Sequence, residues 1–345
     1  MGKIRTGIFL IYLLASCPVL GQDAVFSQFF NTTLYLNPAL AGIEDEIIVN
    51  SNYRTQWNSL QFPYQTTQIS AVMPYYRDKH QKPFGHLGGL GLSIYNDVAG
   101  RDNNFKTTGL NSNFAYNLPL DRHHIHVITF GLQTGLVQKR IDTSTLQWGE
   151  QYNPYVGFDS SISPTEAGEF RNRAFFDVGS GIFWFYNPLA QENRVVTSIN
   201  SGISVAHMNH PDESMVDFET NRLPLLYKYH GGIVFRISTH VTASANVLVA
   251  YQNETSQQNF GTYFSYTFHS ESDGLITEGV FRLGGWYRAQ DAAIFLTEFE
   301  TPKFKLAFSY DMNTSSLRYG SRGIGSYEVH LGLRFAEHEL PKSRY

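Results

Sequence analysis

The chain carries 12 histidines, and two dense groups of them are the first place to test for chemistry. His123, His124 and His126 lie almost side by side, and His207 and His210 bracket Met208-Asn209. A zinc site needs ligands converging on a rigid frame, and neither spacing is a recognised zinc pattern. The first group falls in an expected turn and the second at a strand end, so both read as solvated histidines. A membrane hydrolase would need Ser, His and an acid together. Ser204 with His207 comes nearest, but alternation along a strand puts them on opposite faces. Gly88-Gly89-Leu90-Gly91 would cradle a phosphate only if a helix followed, and the segment instead continues in strand period through Ser93 and Tyr95. Arg288 with Asp291, and Glu298 with Glu300, sit near strand ends and read as rim or lumen charges. No catalytic, metal or cofactor residues are expected, and the chain is not expected to be an enzyme.

The elements carrying these residues follow from composition and period. Of the 345 residues only 16% are charged, against about 25% in an ordinary soluble domain. Aromatics reach 15%, with 21 Tyr and 26 Phe, and there are 29 Gly, a mixture that suggests β-structure with aromatic girdles. A net charge of −4 without a basic block gives no reason to expect a nucleic-acid partner. Lys3 and Arg5 precede an apolar run from Ile8 to Ala15, and Val19-Leu20-Gly21 offers a cleavage site. Residues 1–21 therefore read as a signal peptide, with Gln22 first in the mature chain. A competing reading takes Leu14-Ala15-Ser16-Cys17 as a lipoprotein box that lipidates Cys17, the single cysteine. Beyond that segment no apolar run reaches the length of a transmembrane helix. An exported chain that enters a membrane without helices does so as a closed barrel.

Gly325 to Phe335 alternates strictly, with Tyr327, Val329, Leu331, Leu333 and Phe335 on one face and Ser326, Glu328, His330, Gly332 and Arg334 on the other. The same period starts at Glu46 and runs to Trp57, with Asn50, Asn52 and Arg54 on the polar face. Twelve further strands are expected between these two, at roughly Tyr64–Met73, His86–Tyr95, Phe105–Leu118, Ile125–Val137, Phe176–Tyr186, Arg194–His207, Leu226–Ile237, Val241–Tyr251, Gln258–Phe268, Glu278–Arg288, Ala292–Phe299 and Lys303–Asp311. The expected class is all-β: a single-chain transmembrane antiparallel barrel of about 14 strands over 46–335, followed by a tail at 336–345. The two longest links, Gln138–Phe175 and Met208–Leu225, fall at one end, and short ones such as Ser238-Thr239-His240 at the other. That asymmetry belongs to outer-membrane barrels. Asn111, Asn113 and Gln133 are expected in the lumen, where Gly131 and Gly135 leave room for another segment to approach.

Residues 22–45 break the pattern. Phe26 to Gly42 has irregular apolar spacing and an Asn37-Pro38 turn, yet is too apolar for a free tail. It is expected in or under the lumen, with Phe26, Phe29, Phe30, Tyr35, Asn37 and Pro38 as partner-binding candidates. In the long link, Trp148, Gln151, Tyr152 and Phe158 are candidates for the same role, because aromatics give large contact area at low ordering cost.

With those residues in hand the chain resembles the PorP/SprF family of Bacteroidota outer-membrane proteins. The likeness rests on Phe26-Ser-Gln-Phe-Phe with Leu34-Tyr-Leu-Asn-Pro-Ala-Leu-Ala-Gly42, Tyr53-Arg54 through Trp57, Tyr64-Gln-Thr66 and Gly91 to Gly100. It continues through Gly202-Ile-Ser-Val-Ala-His207, Tyr287-Arg288, Asp291-Ala292, Tyr310-Asp311 and the final strand. Asn31-Thr-Thr33 and the residues after Phe335 depart from it. The resemblance implies an outer-membrane location and work with type IX secretion and gliding machinery on the periplasmic side. It also implies a secreted surface protein of adhesin type, or its C-terminal domain, as partner, with outer-membrane lipid around the wall. A pore or transporter for a small solute is the alternative.

Overall fold

The computed structural model describes residues 25–59, 62–76, 86–186, 195–216, 219–269 and 278–335. The expected signal segment 1–21, Cys17, Gln22 and the tail 336–345 lie outside the described residues.

Alternating sequences of this kind can satisfy every backbone group in lipid only if no sheet edge is left open. Fourteen antiparallel strands meet that condition by closing into a barrel. They are β1 (Ile47–Gln56), β2 (Tyr64–Tyr76), β3 (His86–Ala99), β4 (Phe105–Pro119), β5 (His126–Ile141), β6 (Arg173–Tyr186) and β7 (Val196–Ala206). The second half is β8 (Leu226–Arg236), β9 (Val241–Gln252), β10 (Thr255–His269), β11 (Glu278–Arg288), β12 (Ala292–Glu300), β13 (Phe304–Asn313) and β14 (Ile324–Phe335). Each pairs with its neighbours in sequence, and β1 pairs with β14 to seal the ring, Ile47 opposite Phe335 and Tyr53 opposite Val329. Several strands outrun the sequence expectation, β3 to Ala99 and β5 to Ile141. The added length is largely polar: Lys106 faces Arg140 and Thr107 faces Lys139, so the ladder continues beyond the apolar band.

Facing follows parity. In β14, Leu331 is 42% exposed on the outer surface, whereas Glu328 and His330 point inward and are buried. Leu110, Phe114, Tyr116, Phe130, Leu132 and Leu136 form the matching outer band on β4 and β5. A Leu331→Arg variant should therefore lose about 2–4 kcal/mol of stability in the bilayer. The check is its folded outer-membrane level beside wild type, and equal levels would contradict a lipid-facing Leu331.

The links after β5 and β7 leave the same end of the barrel as the link after β1, while 120–125, 237–240 and 301–303 turn at the other end. In an outer-membrane barrel the long links face outward.

The lumen is filled by the N-terminal segment. Three short helical turns, Phe29–Asn31, Thr33–Leu36 and Pro38–Gly42, bury Leu36, Ala39, Leu40 and Ile43 against Phe183, Leu248, Trp286 and Ile294 of the wall. Leu34 and Ala41 pack on Val72 and Ala115 in a second cluster. Glycines on the inner wall make the fit possible. A Cβ on Gly89 would fall on the Ala41 backbone, and one on Gly131 on the backbone of Pro38 and Ala39. One on Gly91 would come within 2.8 Å of the Leu34 methyls.

Candidate functional site

Irregular backbone inside a barrel needs partners from the wall, since no ladder is available to it. The N-terminal segment finds them in side chains. Gln133 donates to the Leu34 carbonyl at 3.3 Å, Lys228 to Tyr35 at 2.7 Å and Ser204 to Leu36 at 2.8 Å. Asn117 donates to the Gly42 carbonyl at 2.7 Å. Asn37 works in the other direction: its Nδ2 donates to Ile182 and Ile203 carbonyls, and its Oδ1 caps the following turn through Ala39 N–H at 2.9 Å. Pro38 fits here because the first residue of a helical turn has no use for an N–H.

Two buried charge clusters hold the same segment. Toward the long-link end, Arg54 pairs with Asp311 at 3.2 Å and Glu328 at 3.8 Å, and Arg288 with Asp311 at 2.7 Å. Ser27 enters this cluster, its hydroxyl donating to Asp311 at 2.6 Å and its N–H to Glu328 at 2.8 Å. Toward the short-turn end, Arg282 binds both Glu298 and Glu300, and Arg334 also binds Glu300. Asn31 joins that cluster through Glu298 and Lys305. Charges this well buried persist only when paired and hydrogen-bonded, so the segment is part of the electrostatic closure of the lumen.

Above the first cluster, at the long-link mouth, lies a cavity of about 430 Å³ lined by Val25, Gln56, Trp57, Tyr64, Gln252 and Arg288 among others. From Val25, beside the long links, the segment thus descends to the short-turn end, where β1 begins.

The two long links pack on each other. Arg171 N–H donates to the Met215 carbonyl at 2.8 Å, Lys139 pairs with Glu213, and Arg173 with Asp212 at 2.5 Å. The backbone N–H groups of Asn221 and Ser214, with Arg173 nearby, hold the Asp212 carboxyl below its usual range. Val137, Phe175 and Leu223 make a small apolar anchor beneath. Out of this layer projects a hairpin, Tyr152-Asn153 paired with Gly157-Phe158.

The sequence model of the type IX secretion system membrane protein family PorP/SprF matches residues 19–333. The chain belongs to the PorP/SprF family. Its fold is similar to that of the toluene transporter TbuX of Ralstonia pickettii, with a TM-score of 0.50 at 10% identity over 89% of this chain and 94% of that one. A looser likeness, from which nothing further follows, is to the CymD monoaromatic hydrocarbon channel, with a TM-score of 0.44 at 12% identity over 92% and 96%. Among curated proteins no sequence matches. The PorP/SprF chain is an outer-membrane type of barrel, and its family is one of secretion components rather than a known enzyme class.

Within that barrel, Asn52, Arg54, Asn111 and Asn113 are buried on the inner face, and Asn50 and Gln133 border small interior pockets. Phe26, Phe29, Asn37 and Pro38 are buried, Phe30 stacks on Trp286 and Tyr35 lies under the Lys228 ammonium. All six lie in the segment that fills the lumen. Among the loop candidates, Gln151 is buried and ties the loop to itself through Ile162, and Trp148 packs on Phe170 at 5.7 Å. Tyr152 and Phe158 are exposed, and the hairpin tip they flank, Tyr155 and Val156, is more so, Tyr155 at 96%. The sequence signal for that tip was Asn153-Pro154 before Gly157, a turn with apolar residues at its crest.

The expectation that Ser204 and His207 face apart does not hold. His207 sits just past β7 at a φ of 60°, which breaks the alternation and turns its ring to Asp177 at 3.1 Å. Both border one small interior pocket, where the Ser204 hydroxyl is committed to Leu36. His126 belongs to β5 and packs on Tyr186, and His210 bonds the Leu223 carbonyl. Among the described residues no group of three possible metal ligands converges.

Proposed function

We propose that this protein supports the export or surface anchoring of a large secreted protein, of adhesin type, as a docking component of type IX secretion. The observation that carries the reading is the filled lumen. A segment with carbonyls bonded to the wall and its first turn, Ser27 to Asn31, joined to both charge clusters makes the barrel a rigid platform, not an open conduit. The mouth, with its layered long links and the projecting Tyr155-Val156 tip, is the face offered to the exported protein. The short turns 120–125, 237–240 and 301–303 are the face offered to periplasmic machinery.

The test is affinity recovery from native outer membrane. A Tyr155→Ser/Val156→Ser pair should keep the barrel folded and heat-modifiable while recovery of an exported protein falls about tenfold, the weight of one good aromatic anchor. Undiminished recovery would sink the assignment of that tip. The alternative, a small-solute transporter, draws on the fold likeness to a protein described as a toluene transporter. Steady conductance of the intact protein in planar bilayers would favour that alternative.

A further inference from the structure

We propose that the cavity at the long-link mouth is a saccharide-binding site that takes a short neutral oligosaccharide. Its volume, about 430 Å³, lies in the range of small-ligand sites, about 300–1,000 Å³. The walls combine the aromatic rings of Trp57 and Tyr64 with three carboxamides, Gln56, Gln252 and Gln257, and the hydroxyls of Thr255 and Ser256. A carboxamide presents donor and acceptor in one plane, which matches neighbouring hydroxyls on a sugar ring, while the ring's C–H face packs on an aromatic side chain.

Two observations point to an occupant. Gln252 is 6% exposed, borders the cavity, and its Nε2 has no hydrogen-bond partner. A buried amide left unmade costs about 1–3 kcal/mol, and a turn of the Gln252 side chain toward a ligand oxygen in the cavity would recover it. Trp57 is held at a φ of 58°, a conformation rare for a bulky residue, with its N–H donating to the Gly325 carbonyl at 2.7 Å. Strain of this sort gathers where a side chain is held for a ligand.

Charge and topology separate the ligand classes. Of the charged groups in the wall, Arg288 is engaged by Asp291 and Asp311, and Lys228 donates to the Tyr35 carbonyl. Recognition therefore falls to Ser256 and to the remaining bonding capacity of Gln56, Thr255 and Gln257, which already meet Arg54, the Gln252 carbonyl and Asn259. The closed sheet offers an extended peptide no strand edge. A peptide here would depend on side-chain partners alone, as the N-terminal segment does, and the peptide probe tests that occupant. The inference stands apart from the secretion reading, and either can fail alone.

The experiment is calorimetric titration of the full chain in detergent with maltotriose, cellotriose and N,N′-diacetylchitobiose, and with the peptide Asp-Glu-Asp as a contrasting probe. At least one sugar should bind. Trp57→Asn, which suits the left-handed backbone, and Gln252→Leu should each weaken it by about tenfold or more, roughly 1.4 kcal/mol, with the heat-modifiable band intact. Gln257→Ala serves if Trp57→Asn fails to fold. Absence of sugar binding, sugar binding indifferent to these variants, or Trp57-dependent binding of the peptide instead would each overturn the proposal.

Discussion

A Gly131→Leu variant is expected to conduct ions in planar bilayers where the wild-type barrel is silent. Gly131 faces the lumen where the chain turns through Pro38-Ala39, and a Cβ there would land on main-chain atoms rather than on a side chain that can swing aside. The main chain at that point is pinned by Asn37, which bonds both the wall and the turn. Overpacking a close-fitted core costs about 1–3 kcal/mol even where side chains can yield, and here the obstacle is backbone. The least costly response is withdrawal of the segment, which opens the lumen. Gly149→Leu is the control, because nothing lies within 4 Å of a Cβ at that position. A folded Gly131→Leu barrel as silent as the control would show that the segment accommodates the bulk in place.

Asp311→Ala is expected to be the most damaging single change in the wall, at about 3–5 kcal/mol, the range for breaking a buried ion pair from one side. Asp311 is the shared partner of Arg54 and Arg288 and accepts from Ser27 as well. Its loss brings two guanidiniums face to face with no acid between them, leaving Glu328 to Arg54 and the half-exposed Asp291 to Arg288. The readout is the temperature at which the compact band converts to the unfolded one in gel electrophoresis. A double variant with Arg54→Met should recover part of the loss, because one stranded cation is removed with its counter-charge. If Asp311→Ala shifts the transition no more than an outer-loop change such as Glu166→Ala, the cluster does not hold the barrel together.

The wall was legible in the sequence because period-two alternation is local. Tyr327 to Phe335 announces its lipid face without reference to any other strand, and the same holds for Leu110 to Leu118. Asn111, Asn113 and Arg54 fall on the inner face by counting alone. What counting does not carry is who meets whom across the lumen. Ser27, Arg54, Arg288, Asp311 and Glu328 come from five distant stretches, and parity puts four of them inside without saying that they share one cluster. The N-terminal segment was recognisable as buried from its apolar content, but its travel through the lumen depends on glycines scattered over β3, β5 and β6. His207 misled because a single left-handed residue at the strand end undoes parity, and nothing in its neighbours marks that turn.

The course of residues 25–46 through the lumen, from the long links to the short-turn end, bears on assembly. Val25 lies at one mouth and the start of β1 at the other, and inner-wall side chains clasp the segment between them. Sliding such a segment lengthwise into a finished ring would require breaking two charge clusters and re-forming them in register. It is simpler for the sheet to curl about the segment while β1 and β14 are still apart. The β1–β14 seam joins the most distant strands of the wall, and contacts of such long sequence separation are slow to form. On that route the seam closes last, with the segment already in place as a mandrel inside the ring.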